Sequence, residues 1–267
     1  MNTQCLSDSY YQRFSGIARL YGTQALTLFS QSHICVIGIG GVGSWIAESL
    51  ARSGIGKITL IDMDDVCITN TNRQIHALQS NIGKAKTEVM AERIRQINPE
   101  CQVTIIDDFI NQSNVNAHLG TADSRRYHFI VDAIDSVRDK AAVLAHCRRH
   151  KLKVITIGGA GGQKDPTKIQ ITDLAKTVQD PLAAKLREQL KTTYKLSKDS
   201  KGKYGIPCVY STEQLTYPAQ NGEVCLTKNQ ADGAKKMDCT SGFGAITTVT
   251  ATFGFVAVSY VLNKLQP

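Results

Sequence analysis

The stretch ICVIGIGGVGSWIAESLARSGIGKITLIDMDDVCITNTNRQ, Ile34 to Gln74, decides how this chain is read. A β-branched run, Ile34 to Ile37, ends in the glycines Gly38, Gly40, Gly41 and Gly43. A small and apolar pattern follows from Trp45 to Ala51, and a second strand, Lys57 to Ile61, ends in Asp62. This order predicts a strand, a tight glycine turn, a helix and a parallel strand, the unit that sets a nucleotide at a helix N-terminus. Gly38 permits the turn out of the strand, Gly40 and Gly41 let backbone N–H groups approach phosphate oxygens, and Gly43 lets the helix lie close on the sheet. Asp62, at the strand tip, sits where a carboxylate accepts hydrogen bonds from ribose hydroxyls.

A glycine turn alone fits an NAD or FAD enzyme. The residues beyond Asp62 change that reading, because Asp64, Asp65, Asn70, Asn72, Arg73 and Gln74 follow closely, with Lys84 and Lys86 soon after. Cations beside a bound phosphate chain point to a triphosphate being cleaved, since such transfer is catalysed mainly by charge neutralisation and positioning. Hydride transfer has no such need. The competing reading makes Arg73 and Lys86 ordinary solvated charges on a loop and a helix.

The chain has 267 residues, 42% of them hydrophobic, enough for a full core. Strand and helix patterns alternate to about residue 173, which predicts an α/β fold: a Rossmann-like, doubly wound, mainly parallel sheet with helices on both faces. The expected organisation is a single unit over 1–267, with a nucleotide-binding core at 30–160 and an extension at 161–267 carrying a basic loop and an apolar C-terminal helix. The opening residues MNTQCLSDSYY lack a basic n-region and an apolar h-region, so the expected location is cytoplasmic. The eight cysteines are scattered without a CxxC pair, which predicts no structural zinc and thiols that pack as small hydrophobes. Cys208 and Cys239 are the candidates for persulfide or thioester chemistry, against a buried structural role.

The glycine turn GIGGVG, the strand end LIDMDDV, the segment NTNRQ and the helix start GKAK stand in the order and spacing of the ubiquitin-activating-enzyme-like superfamily, which includes adenylating enzymes of carboxylates. FIVDAIDSVRDK, Phe129 to Lys140, resembles its later acidic landmark. The resemblance covers roughly residues 9 to 160. It implies ATP as the nucleotide, with Asp62 on the ribose, and Asp64, Asn70, Arg73, Gln74, Lys86 and Ser136 in the nucleotide site. It also implies Asp135 holding Mg²⁺ at the α-phosphate. Arg73, Lys86 and Asp135 are then the catalytic set, because an attacking carboxylate and a departing pyrophosphate both need their charge screened. Asp132, inside the apolar strand, is the competing acid and reads as supporting or structural.

One branch of the superfamily, the tRNA threonylcarbamoyladenosine dehydratases, lacks the zinc cysteines. The chain resembles it in RFSGIARLYG (Arg13 to Gly22), VITIGGAGGQKDPTKI (Val154 to Ile169), YSTE (Tyr210 to Glu213) and CTSGFGAITTVTATFGFVA (Cys239 to Ala257), nearly end to end. The implied activity is ATP-dependent cyclisation of a modified tRNA adenosine. The implied partners are tRNA, a second copy in a homodimer, and a cysteine-desulfurase or sulfur-acceptor protein. The alternative is an enzyme that adenylates the C-terminus of a ubiquitin-like or sulfur-carrier protein. Many members carry RYxR near the N-terminus, where this chain has RFSG, so Gly16 stands in place of the second arginine; Arg13, or Arg19 nearby, is the candidate for acting in trans. Packing of Phe14, Ile17 and Leu20 on the core is the structural alternative.

The net charge of +8 fits a polyanionic partner; a protein substrate with an acidic patch and a basic face that is simply solvated are the competing readings. Basic residues gather at Arg148, Arg149, Lys151 and Lys153, and again at Lys185, Arg187, Lys191, Lys195, Lys198, Lys201 and Lys203. The second group starts on a helix after Pro181 and enters a segment that reads as a mobile loop. From Cys239 to Asn263 no residue is charged. That run is long enough to span a bilayer, yet its Thr, Ser, Gly and Ala content favours a helix packed on a sheet or a partner over a membrane contact.

Overall fold

A computed structural model of the chain describes residues 6–219, 222–226 and 243–266. Two helices, α1 (Asp8–Tyr21) and α2 (Thr23–Gln31), lead into β1 (His33–Ile37), the glycine turn, α3 (Gly43–Arg52) and β2 (Lys57–Ile61). Next come α4 (Lys86–Ile97), β3 (Gln102–Ile106), α5 (Val115–Leu119), β4 (Phe129–Asp132), α6 (Val137–Arg149) and β5 (Val154–Ile157). The remainder comprises β6 (Ile169–Asp173), α7 (Pro181–Thr192), β7 (Pro207–Ser211), a short antiparallel pair β8 (Tyr217–Pro218) and β9 (Val224–Cys225), and α8 (Thr247–Leu265).

The main sheet runs β3-β2-β1-β4-β5-β7-β6, parallel throughout except that β6 pairs antiparallel with β7. Alternation along the strands feeds two cores, as a sheet covered on both faces requires. Ile34 and Val36 of β1 point into one core with α3, α4 and α8, while Cys35 and Ile37 point into the other with α5, α6 and α7. Strand order reverses between β1 and β4. The crevice beyond their carboxyl ends is where such sheets bind ligands.

Three sequence expectations need correction. Leu20 does not pack on the core: it is 76% exposed, because the buried stripe of α1 runs Tyr10, Phe14, Ala18 at helical spacing and Leu20 falls on the opposite face. The segment after α7 is folded rather than loose. The Asp173 carboxylate accepts from the N–H groups of Tyr204, Gly205 and Ile206, and Asp199 accepts from those of Lys201 and Lys203. The apolar helix begins at Thr247, since residues 243–246 are not helical; there the Gly244 carbonyl accepts from Gly162 N–H and the Phe243 side chain covers Gly161 and Gly162.

Among the described residues, α8 is one helix long and apolar enough to cross a membrane by length and composition. Its Val249, Phe253, Ala257, Val258, Val261 and Leu262 are buried in the first core, which accounts for that apolarity. A methyl on Gly254 would sit 3.1 to 3.2 Å from Trp45 Cβ, Ile46 N and the Val42 carbonyl, so this glycine sets how closely α8 crosses α3.

Candidate nucleotide site

The glycine turn is a tightly closed corner. Gly38 leaves β1 with φ at 84°, and a methyl on Gly43 would lie 1.7 Å from the Gly38 carbonyl oxygen, so α3 starts flush against the strand end. Gly40 and Gly41 lie between them, just ahead of the α3 N-terminus; Ser44 N–H donates to the Gly40 carbonyl at 3.1 Å, which shapes the turn into the kind of helix start that suits an anion. Asp62 braces the corner from β2: one carboxylate oxygen accepts from Ile39 N–H at 2.6 Å, the other from Asp64 N–H at 2.8 Å. Burial pushes the Asp62 carboxyl upward, and those two N–H groups with Lys86 pull it back.

Lys86 opens α4. Its side chain is 7% exposed and pairs with Asp64 at 2.7 Å, while Asp64 is 54% exposed. The NTNRQ segment forms a short turn capped by Asn70, whose side-chain oxygen accepts from Cys67 N–H at 3.0 Å and whose carbonyl accepts from Arg73 and Gln74 N–H. The aliphatic stem of Arg73 runs over the glycine turn, 3.3 Å from where a Cβ on Gly41 would be. Its guanidinium donates to the Thr69 carbonyl at 2.7 Å and to the Asn72 side-chain oxygen at 3.0 Å. Gln74 is buried near Gly40, and its Oε1, like Ser44 Oγ at the start of α3, has no partner among the described residues. Orphaned polar atoms beside a phosphate-type turn fit a site made to receive a polar ligand.

The loop after β4 faces this corner. Asp132, fully buried, pairs with Lys140 at 3.0 Å and accepts from Thr156 Oγ1 at 2.6 Å; Lys140 also donates to the Ile134 carbonyl at 2.9 Å. Asp135 is exposed at the loop crest, and Ser136, which donates to Asp139 at 2.7 Å, begins α6. Among the described residues no three His, Cys, Asp or Glu side chains cluster as a metal cage. A Mg²⁺ ion held by one carboxylate and by phosphate oxygens needs no such cage, and Asp135 fits that mode.

Several residues that shape the site gave no local signal in the sequence. Trp45 Nε1 donates to the Arg73 carbonyl, Asn72 reaches the Ala245 carbonyl, and Thr247 reaches the Asn72 carbonyl, across more than 170 positions in the last two cases. Lys140 was hidden in an ordinary polar helix start. Arg13 and Arg19 are exposed on α1, and among the described residues neither bonds to a residue of the site. A cleft of about 400 Å³ lined by Gln179, Asp180, Arg187, Gln214, Tyr217 and Leu226 lies beside α7, and none of the nucleotide-site residues lines it.

Cys35, Cys67, Cys101, Cys147 and Cys208 are unbridged. Cys208 is buried and its thiol is pushed up by burial, a poor setting for a thiolate nucleophile; Cys239 lies outside the described residues. Basic residues divide by duty. Arg148 Nε donates to the Tyr204 carbonyl, and Arg149 donates to the Tyr194 carbonyl and lies over its ring, whereas Lys185, Lys191, Lys195 and Lys201 are exposed.

A doubly wound sheet with a glycine corner at its switch point, an acid at the tip of the next strand and a cationic segment beyond it defines a nucleotide-binding α/β protein of the kind that handles a phosphate chain. The ThiF family model matches residues 11–266, and the chain belongs to that family. It is 65% identical to the tRNA threonylcarbamoyladenosine dehydratase of Escherichia coli (strain K12) over 261 residues, 98% of this chain and 96% of that protein. It superposes on the E. coli dehydratase in complex with ATP with a TM-score of 0.86 and 61% identity, covering 98% and 96% of the two chains. The same enzyme in complex with AMP gives a TM-score of 0.86 at 59% identity, covering 98% and 97%.

Proposed function

We propose that this chain is an ATP-dependent tRNA threonylcarbamoyladenosine dehydratase. The observation that carries the reading is 65% identity along 98% of the chain to a dehydratase of that name, with relatives of the same fold that bind ATP and AMP. In this reading the threonyl carboxylate attacks the α-phosphorus of ATP and the bond to pyrophosphate breaks. A nucleophile of the same side chain then attacks the activated carbonyl, AMP departs, and a ring remains with the net loss of water. Nucleophile and electrophile are tethered, so their effective concentration is high and no enzyme thioester is required.

The site residues take the following roles. Asp62 receives the ribose, and the N–H groups of Gly40 and Gly41 receive phosphate oxygens. Arg73 and Lys86 neutralise the charge that moves onto pyrophosphate, with Asn70, Gln74, Asp64 and Ser136 shaping the pocket. Asp135 would hold Mg²⁺, which supplies charge stabilisation at the phosphates when bound. The core at 30–160 and the extension at 161–267 work as one adenylating unit, and the exposed lysines of α7 and its following loop track tRNA phosphates. Arg13 reaches a partner's site in a homodimer, and a cysteine-desulfurase or sulfur-acceptor protein is a further partner. The location this reading favours is the cytoplasm. The test is incubation with ATP, Mg²⁺ and tRNA carrying threonylcarbamoyladenosine, read by nucleoside mass spectrometry. Loss of 18 mass units from the modified nucleoside, with AMP formed, is expected; turnover of ATP only on addition of a small carrier protein would overturn the reading.

A further inference from the structure

Arg73 is held from two directions, and only one of them is its own segment. Its carbonyl accepts from Trp45 Nε1 at 3.0 Å and from Thr250 Oγ1 at 3.4 Å. The preceding carbonyl, of Asn72, accepts from Thr247 Oγ1 at 2.7 Å. The Asn72 side chain joins the two systems: its oxygen accepts from the Arg73 guanidinium at 3.0 Å, while its nitrogen donates to the Ala245 carbonyl at 2.7 Å. The non-helical residues before α8 and the first turn of α8 therefore grip both the backbone and, through Asn72, the charged head of Arg73. The grip is rigid because α8 has no slack. Gly254 lies against Val42, Trp45 and Ile46, and Val249, Phe253 and Ala257 are buried in the core.

We infer that Asn72, Thr247 and Thr250 are positioning residues for Arg73, so that the start of α8 is part of the phosphate site, and that Trp45 is a built-in reporter of that site's occupancy. The inference rests on the ATP reading above and deepens it. A guanidinium that must meet moving charge gains from being oriented beforehand, and each donor that fixes its backbone reduces the orientations to be lost on binding. Trp45 is the chain's one tryptophan. Its indole N–H is bonded to the Arg73 carbonyl and its ring stands edge-on to Phe255 of α8, so a shift of Arg73 changes its surroundings.

The test uses the whole protein and ATP with Mg²⁺, first without tRNA. Thr247→Val keeps the side-chain volume and removes the hydroxyl; it should weaken ATP binding by about fivefold, what one ordinary hydrogen bond is worth. Thr247→Ser should restore it. The decisive arm repeats Thr247→Val in an Arg73→Ala background, where the hydroxyl has no guanidinium to position and the fivefold effect should vanish. Tryptophan emission should shift on adding ATP to the unaltered protein and to Thr247→Ser, and should not shift in Arg73→Ala. An equal loss from Thr247→Val in both backgrounds would make its role merely structural and overturn the inference, as would ATP affinity in Thr247→Val equal to that of the parent. Because affinity and emission are read without tRNA, a parent that binds ATP yet leaves modified tRNA unchanged would strike the proposed reaction alone.

Discussion

Two lysine–aspartate pairs flank β1 at the carboxyl edge of the sheet, and they differ in one respect that matters. Lys86–Asp64 spans 2.7 Å and Lys140–Asp132 spans 3.0 Å. In the second pair both partners are sealed, at 1% and 0% exposure, with Thr156 and the Ile134 carbonyl completing the shell. In the first, Lys86 is 7% exposed but Asp64 is 54% exposed, so one side of the pair faces solvent. A closed pair has nothing left to offer a ligand and serves to hold the loop that carries Asp135. An open pair keeps a lysine partly dehydrated and poised, with a partner that a phosphate chain can displace. In the proposed reading, burial on both sides, rather than the presence of a salt bridge, separates the framework charge from the working one.

The comparison is broken most directly by exchanging the two lysines for methionine. Lys140→Met strands the Asp132 carboxylate in the core and should cost about 3–5 kcal/mol in urea denaturation. Lys86→Met leaves Asp64 in water and should change stability by about 1 kcal/mol or less, while lowering AMP formation by about 10²-fold. Asp132→Asn and Asp135→Asn should divide in the same way, stability for the first and AMP formation for the second. Unfolding by Lys86→Met as severe as by Lys140→Met would erase the distinction.

A smaller effect sharpens it through His76, which is 1% exposed and has neither ring nitrogen bonded among the described residues. Burial first, then the charges of Lys86 and Arg93, lowers its pKa from 6.5 to about 4. The unfolded chain takes up a proton between those values that the native imidazole refuses. Stability is therefore complete above about pH 6.5 and falls as pH drops towards 4, by on the order of 3 kcal/mol. His76→Leu should flatten that slope in denaturation curves at successive pH values. Lys86→Met should reduce it by removing one of the two cations, which Lys140→Met would not do.

The smallest effect belongs to Asp64→Asn. Replacing the exposed end leaves the 7%-exposed Lys86 with Asp62 as its neighbouring carboxylate, so stability in urea denaturation should fall by about 1–2 kcal/mol, less than for Lys140→Met, and AMP formation should fall less than in Lys86→Met. A stability loss matching that of Asp132→Asn would show that exposure is a poor guide here.

Much of this was legible in the chain because it is local. The strand Lys57–Ile61, the glycine corner and Asp62 follow from periodicity and punctuation within one short stretch, the start of α4 near Lys86 follows from the family resemblance of GKAK, and the structure has them there. Leu20 misled because steps of three drift round a helix of about 3.6 residues per turn: Phe14 and Ile17 pack inward as expected, and the next step has already turned away from the Tyr10–Phe14–Ala18 stripe. The basic loop misled because its order comes from Asp173, more than thirty residues upstream. The ties from Asn72 and Arg73 to residues 245–250 were illegible for the same reason at greater range. Threonines and an asparagine at those positions carry no pattern until the fold brings them together.

The bond from Asn72 to Ala245 has a temporal consequence. Synthesis proceeds from the N-terminus at roughly 5–20 residues per second, so the arginine-bearing turn emerges on the order of ten to thirty seconds before its far clasp. The glycine corner, Asp62 and the Lys86–Asp64 pair can assemble during that interval from neighbouring strands. The guanidinium cannot be locked, and α3 keeps an uncovered apolar face, until α8 arrives. A nascent chain would thus acquire nucleotide contacts early and the full cationic geometry last, which couples the ability to spend ATP to the final sealing of the core.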